Sequence, residues 1–132
     1  MRSDPTPLRT DEHGRAVGFP YHDGTLDGVL LLDRGDVVEL LLTDAGGASS
    51  RLRLTGVRAF QAEDLRQGNI VCDIEAWTVA RARPRRDLAE AVQVRLHWRL
   101  EQLPSEILVF RLTCSYGASI LAVCERVEVA AG

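Results

Sequence analysis

The chain has 132 residues, 45% hydrophobic and 27% charged, the make-up of one globular domain and of neither a disordered tail nor a coiled coil. Its 16 basic residues are all arginine and stand against 19 acidic ones, for a formal net charge of -3, so the molecule as a whole does not attract nucleic acid or anionic lipid. Without lysine, a Schiff-base mechanism and a phosphate-binding lysine loop are both excluded.

Residues 1–16 read as a flexible arm. Met1 to Glu12 is polar, is broken by Pro5 and Pro7, and has little apolar surface to offset the entropy of ordering. Residues 17–132 read as a single all-β domain. The N-terminal stretch lacks an apolar signal core, and no apolar run nears the roughly 20 residues of a membrane span. A cytoplasmic protein without a membrane partner is the expectation.

Val29 to Leu32 and Val37 to Leu42 are continuous apolar runs separated by Asp33, Arg34, Gly35 and Asp36, which predicts a hairpin of strands covered on both faces. After a turn at Gly46 and Gly47, Arg51 to Thr55 alternates, arginines out and leucines in. Gly56 interrupts it, and Val57 to Phe60 continues after a bend or bulge. Ala62 to Gln67 reads as one helical turn stopped at Gly68.

Ile70 to Ala80 alternates again, with Ile70, Cys72, Ile74 and Ala76 on one side and Val71, Asp73, Glu75, Trp77 and Val79 on the other. Arg81 to Asp87 is a charged turn containing Pro84. Val92, Val94, Leu96, Trp98 and Leu100 alternate with Gln93, Arg95, His97, Arg99 and Glu101, which predicts a strand with the first set in the core and the second in water. Leu108 to Tyr116 and Ile120 to Val129 supply the last two strands. The sum is about seven strands and no helix longer than three turns, hence an antiparallel two-layer sandwich or flattened barrel.

Cys72, Cys114 and Cys124 are an odd set without a Cys-x-x-Cys pair, so neither a disulfide framework nor a thiolate zinc site is indicated, and buried free thiols are expected. No G-x-S-x-G, H-E-x-x-H, phosphate loop or dinucleotide fingerprint occurs, and no catalytic residue, metal or cofactor is assigned. Arg81, Arg83, Arg85 and Arg86 form the densest positive run. Too few aromatic rings are interleaved with it to favour nucleic acid as the partner.

The chemistry-bearing stretch is Tyr21-His22-Asp23-Gly24-Thr25-Leu26-Asp27-Gly28, an imidazole and two carboxylates at the entrance to the first strand. The reading preferred on the residues is a turn in which Asp23 accepts hydrogen bonds from its own backbone, since adjacent strand residues point to opposite faces. Asp73 and Glu75 flank one another beside Trp77. The candidate binding residues are Tyr21, His22, Asp23, Trp77 and Arg85, as an exposed patch of aromatic and charged anchors.

The Tyr21 to Val29 stretch, with Leu54-Thr55-Gly56-Val57 and Gly68-Asn69-Ile70-Val71, resembles small bacterial all-β proteins related to the immunity proteins of polymorphic toxin systems. The resemblance runs from Phe19 to about Val129. His22 and Asp23 match a histidine-aspartate pair that such proteins carry before the first strand, while Phe19 and Tyr21 stand where many carry a tryptophan. It implies a non-enzymatic module binding another protein, a toxin among the candidates. Two other classes stay open: a small-molecule or sugar-binding enzyme using His22, Asp23, Asp73 and Glu75, and a structural protein that self-associates into a homo-oligomer through an open sheet edge, with the last strand as candidate.

Overall fold

The computed structural model describes residues 4–132. The strands are β1 (Thr6–Pro7), β2 (Arg9–Thr10), β3 (Ala16–Val17), β4 (Thr25–Leu32), β5 (Val37–Thr43), β6 (Ser49–Thr55), β7 (Ala59–Glu63), β8 (Asn69–Thr78), β9 (Leu108–Tyr116), β10 (Ser119–Cys124) and β11 (Arg126–Ala131). Two helices, α1 (Val79–Ala82) and α2 (Arg86–Leu96), lie between β8 and β9. Nine strands form one antiparallel sheet in the order β1-β11-β6-β5-β4-β8-β9-β10-β7, and β2 and β3 make a small ribbon.

The sheet folds over as a flattened β-sandwich. Leu26, Val38, Leu40, Leu42, Leu52 and Leu54 of β4–β6 meet Ile74, Phe110, Leu112, Ile120, Ala122 and Cys124 of β8–β10. The alternation of Arg51 to Thr55 holds, with Leu52 and Leu54 fully buried. β6 turns into β7 at Gly56, and β10 into β11 at Glu125. Across that corner Glu125 N–H donates to Thr55 O (3.0 Å) and Arg58 N–H to Val123 O (2.8 Å), so both layers share these bent strands. Gly56 sits at φ +61°, and a Cβ there would lie 2.6 Å from the Glu125 side chain, so the corner requires glycine.

A second apolar cluster lies outside the sandwich, where Val79, Ala82, Leu88, Val92 and Leu96 cover Trp77, Val109, Leu121 and Val123. β10 is therefore covered on both faces, the condition under which a strand reads as a continuous apolar run. Among the described residues no helix is long and apolar enough to cross a membrane.

The strand expected over Val92 to Leu100 is instead the end of α2 and the loop after it. Leu88, Val92 and Leu96 recur every four residues and are all buried, whereas Val94, assigned to the core by alternation, is 66% exposed. Val92 and Leu96 satisfy both periods, and Leu88 with the helix-favouring Ala89 and Ala91 decides for the helix. His97, at φ +62°, ends it, its N–H donating to Gln93 O. Trp98 is half-buried rather than in the core.

Arg95, expected in water, is largely buried. It donates to Gln61 Oε1 (2.6 Å), Ser119 Oγ (3.0 Å) and Ser119 O (2.9 Å), and lies 3.4 Å from Glu63, tying α2 to β7 and β10. Replacing it by alanine leaves several acceptors unpaired and is expected to lower stability by about 2 kcal/mol, measured by urea denaturation.

Two other expectations change. Ala62 to Gln67 makes no helical turn: β7 runs through Glu63 and a tight turn follows. The segment read as a loose arm is laid on the sheet, with Thr6 and Pro7 paired to Val129 and Glu128, Ala76 N–H donating to Gly14 O (2.8 Å) and Trp77 Nε1 to His13 O (3.2 Å). Backbone pairing orders it, together with the Asp11 carboxylate, which accepts from His13 N–H and Arg15 N–H, and the packing of Leu8 and Ala16 on the core. Gly14 makes this possible, since a Cβ there would stand 2.2 Å from Trp77 Nε1.

Candidate functional site

The Tyr21 to Gly28 stretch is a turn leading into β4. Gly24 N–H donates to Tyr21 O (3.0 Å), Asp23 takes φ +65°, and Asp23 and Gly24 exchange backbone hydrogen bonds with Val71 (2.9 and 2.8 Å). The Tyr21 hydroxyl donates to Ala16 O (2.9 Å), and its ring lies 5.2 Å from that of Phe19. Burial, helped by the Asp73 charge, raises its pKa. Asp27 accepts from Thr25 Oγ1 (2.7 Å) and Thr43 Oγ1 (2.5 Å).

Asn69, 2% exposed, joins this turn to two others. Its amide nitrogen donates to Leu26 O (3.2 Å) and Arg66 O, and its oxygen accepts from Arg66 N–H (3.0 Å) and Ala118 N–H (3.1 Å). Most polar groups of the quoted motifs thus hold the fold together. His22 and the Asp23 carboxylate do not: their side chains are 66% and 73% exposed and lie 3.3 Å apart.

Trp77 was expected as an exposed anchor and is 3% exposed. The N-terminal segment covers it, Arg85 stacks 4.5 Å from its ring centre, and Arg111 sits at 5.3 Å. Arg85 is half-buried in that contact. Arg111 also donates twice to Glu75 Oε1 (3.1 and 3.0 Å), which engages the carboxylate proposed for chemistry. Of the five candidate residues, Tyr21, Trp77 and Arg85 are therefore built into the packing, while His22 and Asp23 are presented to solvent.

Register shifts in the β8–β9 ladder leave Cys72 and Ser115 without partners: Ile70 pairs with Tyr116, Val71 with Cys114, and Asp73 with Thr113. Each extra residue reverses the facing that simple alternation implies. Val71 points into the core, whereas Ile70 and Tyr116 turn outward, 38% and 52% exposed. The Arg66 guanidinium carbon lies 5.3 Å from the Tyr116 ring centre. This Ile70–Tyr116–Arg66 face lies beside the His22–Asp23 turn, because Ile70 also pairs with Thr25. Alternation alone missed it. The one sequence cue was Ile70-Val71-Cys72, three apolar residues in a row where a half-wet strand would alternate.

The bulge also corrects the cysteines. Cys72 and Cys114 are half-buried rather than buried, and Cys124 is buried. The neighbouring Asp73 carboxylate raises the Cys72 pKa, burial raises that of Cys114, and burial pushes Cys124 up to about 12. An unfolded thiol ionises near its ordinary value of 9. Cys124 therefore favours the folded state fully below that pH, and the contribution is lost as pH rises from about 9 toward 12. Urea titrations across this window are expected to show falling stability, and Cys124→Ala to flatten the fall without abolishing it, since Tyr21 acts in the same direction.

Elsewhere a charged niche of about 310 Å³ is lined by Asp4, Glu39, Arg51, Arg53 and Glu128. Glu39 lies 3.6 Å from Arg51 and 3.4 Å from Arg53, one carboxylate between two guanidinium groups. Among the described residues no group of three or more His, Cys, Asp or Glu side chains is placed to hold a metal ion.

The sequence matches no family model and no curated protein. Among solved structures it is similar to the crystal structure of an uncharacterized protein from Neisseria gonorrhoeae, with TM-score 0.51 and 11% identity, over 83% of this chain and 91% of that one. That likeness concerns the fold alone: a small, predominantly antiparallel β domain.

Proposed function

We propose that this chain is a non-enzymatic protein-binding module whose recognition face is Ile70, Tyr116 and Arg66, flanked by His22 and Asp23. The observation that carries the reading is Tyr116, an aromatic ring turned outward by a bulge, half exposed and stacked with an arginine. Tyrosine and arginine anchors concentrate binding energy at protein interfaces, and here they adjoin a polar pair that the packing does not use. The partner class to test first is a toxin, from the resemblance to immunity-like proteins.

The test is co-purification from native lysate with the wild type, Tyr116→Ala and His22→Ala. Both variants are expected to melt within about 0.5 kcal/mol of the wild type, as exposed substitutions do, and to lose the captured partner. A captured set unchanged in both variants removes the proposal. Tyr21→Ala is expected to lower stability, since it deletes a half-buried ring and its hydrogen bond to Ala16.

A further inference from the structure

The charged niche lies on the outer face of the sheet, where β5, β6 and β11 run side by side. The ladder sets Arg53 between Glu39 and Glu128 in one row and Arg51 beside Ala130 in the next. The last strand, expected as an open edge for self-association, is paired to β6 along its length and to β1 over Val129 and Glu128. It contributes Glu128 and Ala130 to the lining. Long charged side chains in the first row, against the short Ala130 and Pro5 beside Arg51, leave a hollow of about 310 Å³ where a sheet face would otherwise be flat. That volume is in the range of small-molecule sites.

The charges around the hollow are unequally served. Glu39, its side chain 10% exposed, stands between two guanidinium groups and can neutralise one of them. The Arg51 guanidinium, 80% of it withdrawn from water with its side chain, makes no hydrogen bond to any described residue: its ion pair to Glu39 runs at 3.6 Å, and its Nε is buried without a partner. Such a group has given up water and gained little in return. The Glu128 carboxylate likewise has no hydrogen bond or ion pair among the described residues. Arg51 and Glu128 are diagonal neighbours across the β6–β11 ladder, a spacing of roughly 7–8 Å between side-chain origins, and their opposite charges do not meet.

We infer that this niche binds an α-amino acid, with the ligand's carboxylate on Arg51 and its ammonium on Glu128. A ligand carrying both charges on one carbon bridges a gap that the two side chains leave open, with a charge-assisted hydrogen bond at each end. A simple anion would meet Arg51 but also face the carboxylates of Glu39, Glu128 and Asp4, and a simple cation would leave Arg51 unpaired. Only a zwitterion serves both unpartnered groups. The site is separate from the Ile70–Tyr116–Arg66 face and does not depend on it.

Two charge-assisted contacts in a partly open niche give an expected dissociation constant on the order of 1 mM. The probe is L-alanine, followed by the backbone amide shifts of residues 51–53 and 128–130. Propionate and ethylammonium, which are alanine without its ammonium and without its carboxylate, are the matched controls. Each is expected to bind at least about tenfold more weakly than alanine, and either one binding as tightly overturns the inference in favour of a plain ion site. Arg51→Met and Glu128→Gln, each first shown by its melt to be folded, are expected to weaken alanine binding at least about tenfold. Glu128→Gln is isosteric and carries the test if Arg51→Met does not fold. Glu106→Gln removes the same charge from an exposed position outside the niche and is expected to bind like the wild type, as is Tyr116→Ala. Equal weakening in Glu106→Gln and Glu128→Gln overturns the site, as does a wild type whose amide shifts do not saturate at alanine concentrations about tenfold above the expected constant. Loss of partner capture in Tyr116→Ala with alanine binding intact counts for the recognition face and leaves the niche standing.

Discussion

Replacing Asn69 by alanine is expected to lower unfolding free energy by about 3 kcal/mol, because it strands the Leu26 carbonyl and the Ala118 N–H in surroundings that exclude water. Each such group costs about 1–3 kcal/mol when its partner is removed, and no neighbouring side chain is placed to replace the amide. Asn69→Asp separates the donor from the acceptor role. It retains the oxygen that faces Arg66 N–H and Ala118 N–H but sets a second oxygen against the carbonyls of Leu26 and Arg66, so it is expected to be no milder than alanine. Urea denaturation gives both values. Amide exchange at residues 64–69 should rise more than at the distant Leu52, and a uniform change would show that Asn69 is not a local tie.

Phe110→Ala is expected to cost about 3–5 kcal/mol, the range for emptying a fully buried aromatic site. Phe110 is 0% exposed, lies between Ala76 and Ala122 in the ladder, and meets the leucines of the opposite layer. Its small lateral neighbours cannot swing in to fill the space. Phe110→Leu should recover more than half of the loss, and a cost below about 1 kcal/mol for alanine would contradict the two-layer packing.

The antiparallel β class was legible because Leu52, Leu54, Phe110 and Leu112 alternate on strands with one buried face. Gly56 was legible as a bend for the same reason, as a break in a period. What escaped has definite physical causes. Over Val92 to Leu100 the strand and helix periods coincide at Val92 and Leu96, and the deciding residue, Leu88, lies outside the alternating window. In β8 and β9 a single unpaired residue reverses the facing of its neighbours, and such bulges leave almost no local mark. Tyr116 shares the period of the buried Phe110 and Leu112 and yet stands outside in the fold. Asp23 was expected to accept hydrogen bonds from its own turn, but the turn uses only its backbone and leaves its carboxylate to solvent beside His22. Trp77 was unreadable as buried, because its cover comes from residues 13 and 14, some sixty positions away, and from helices in a stretch that reads as a charged turn and a strand.

The corner at Gly56 and Glu125 bears on how the molecule comes apart. Because the bent strands belong to both layers, neither layer can detach as a unit while the other stays intact. Opening one means breaking hydrogen bonds that also position the other. Melting should accordingly be all-or-none, with calorimetric and van't Hoff enthalpies in agreement. Only the N-terminal segment and the half of β4 beyond Leu26, where β8 no longer pairs with it, should open at lower cost, since both lie outside that shared framework.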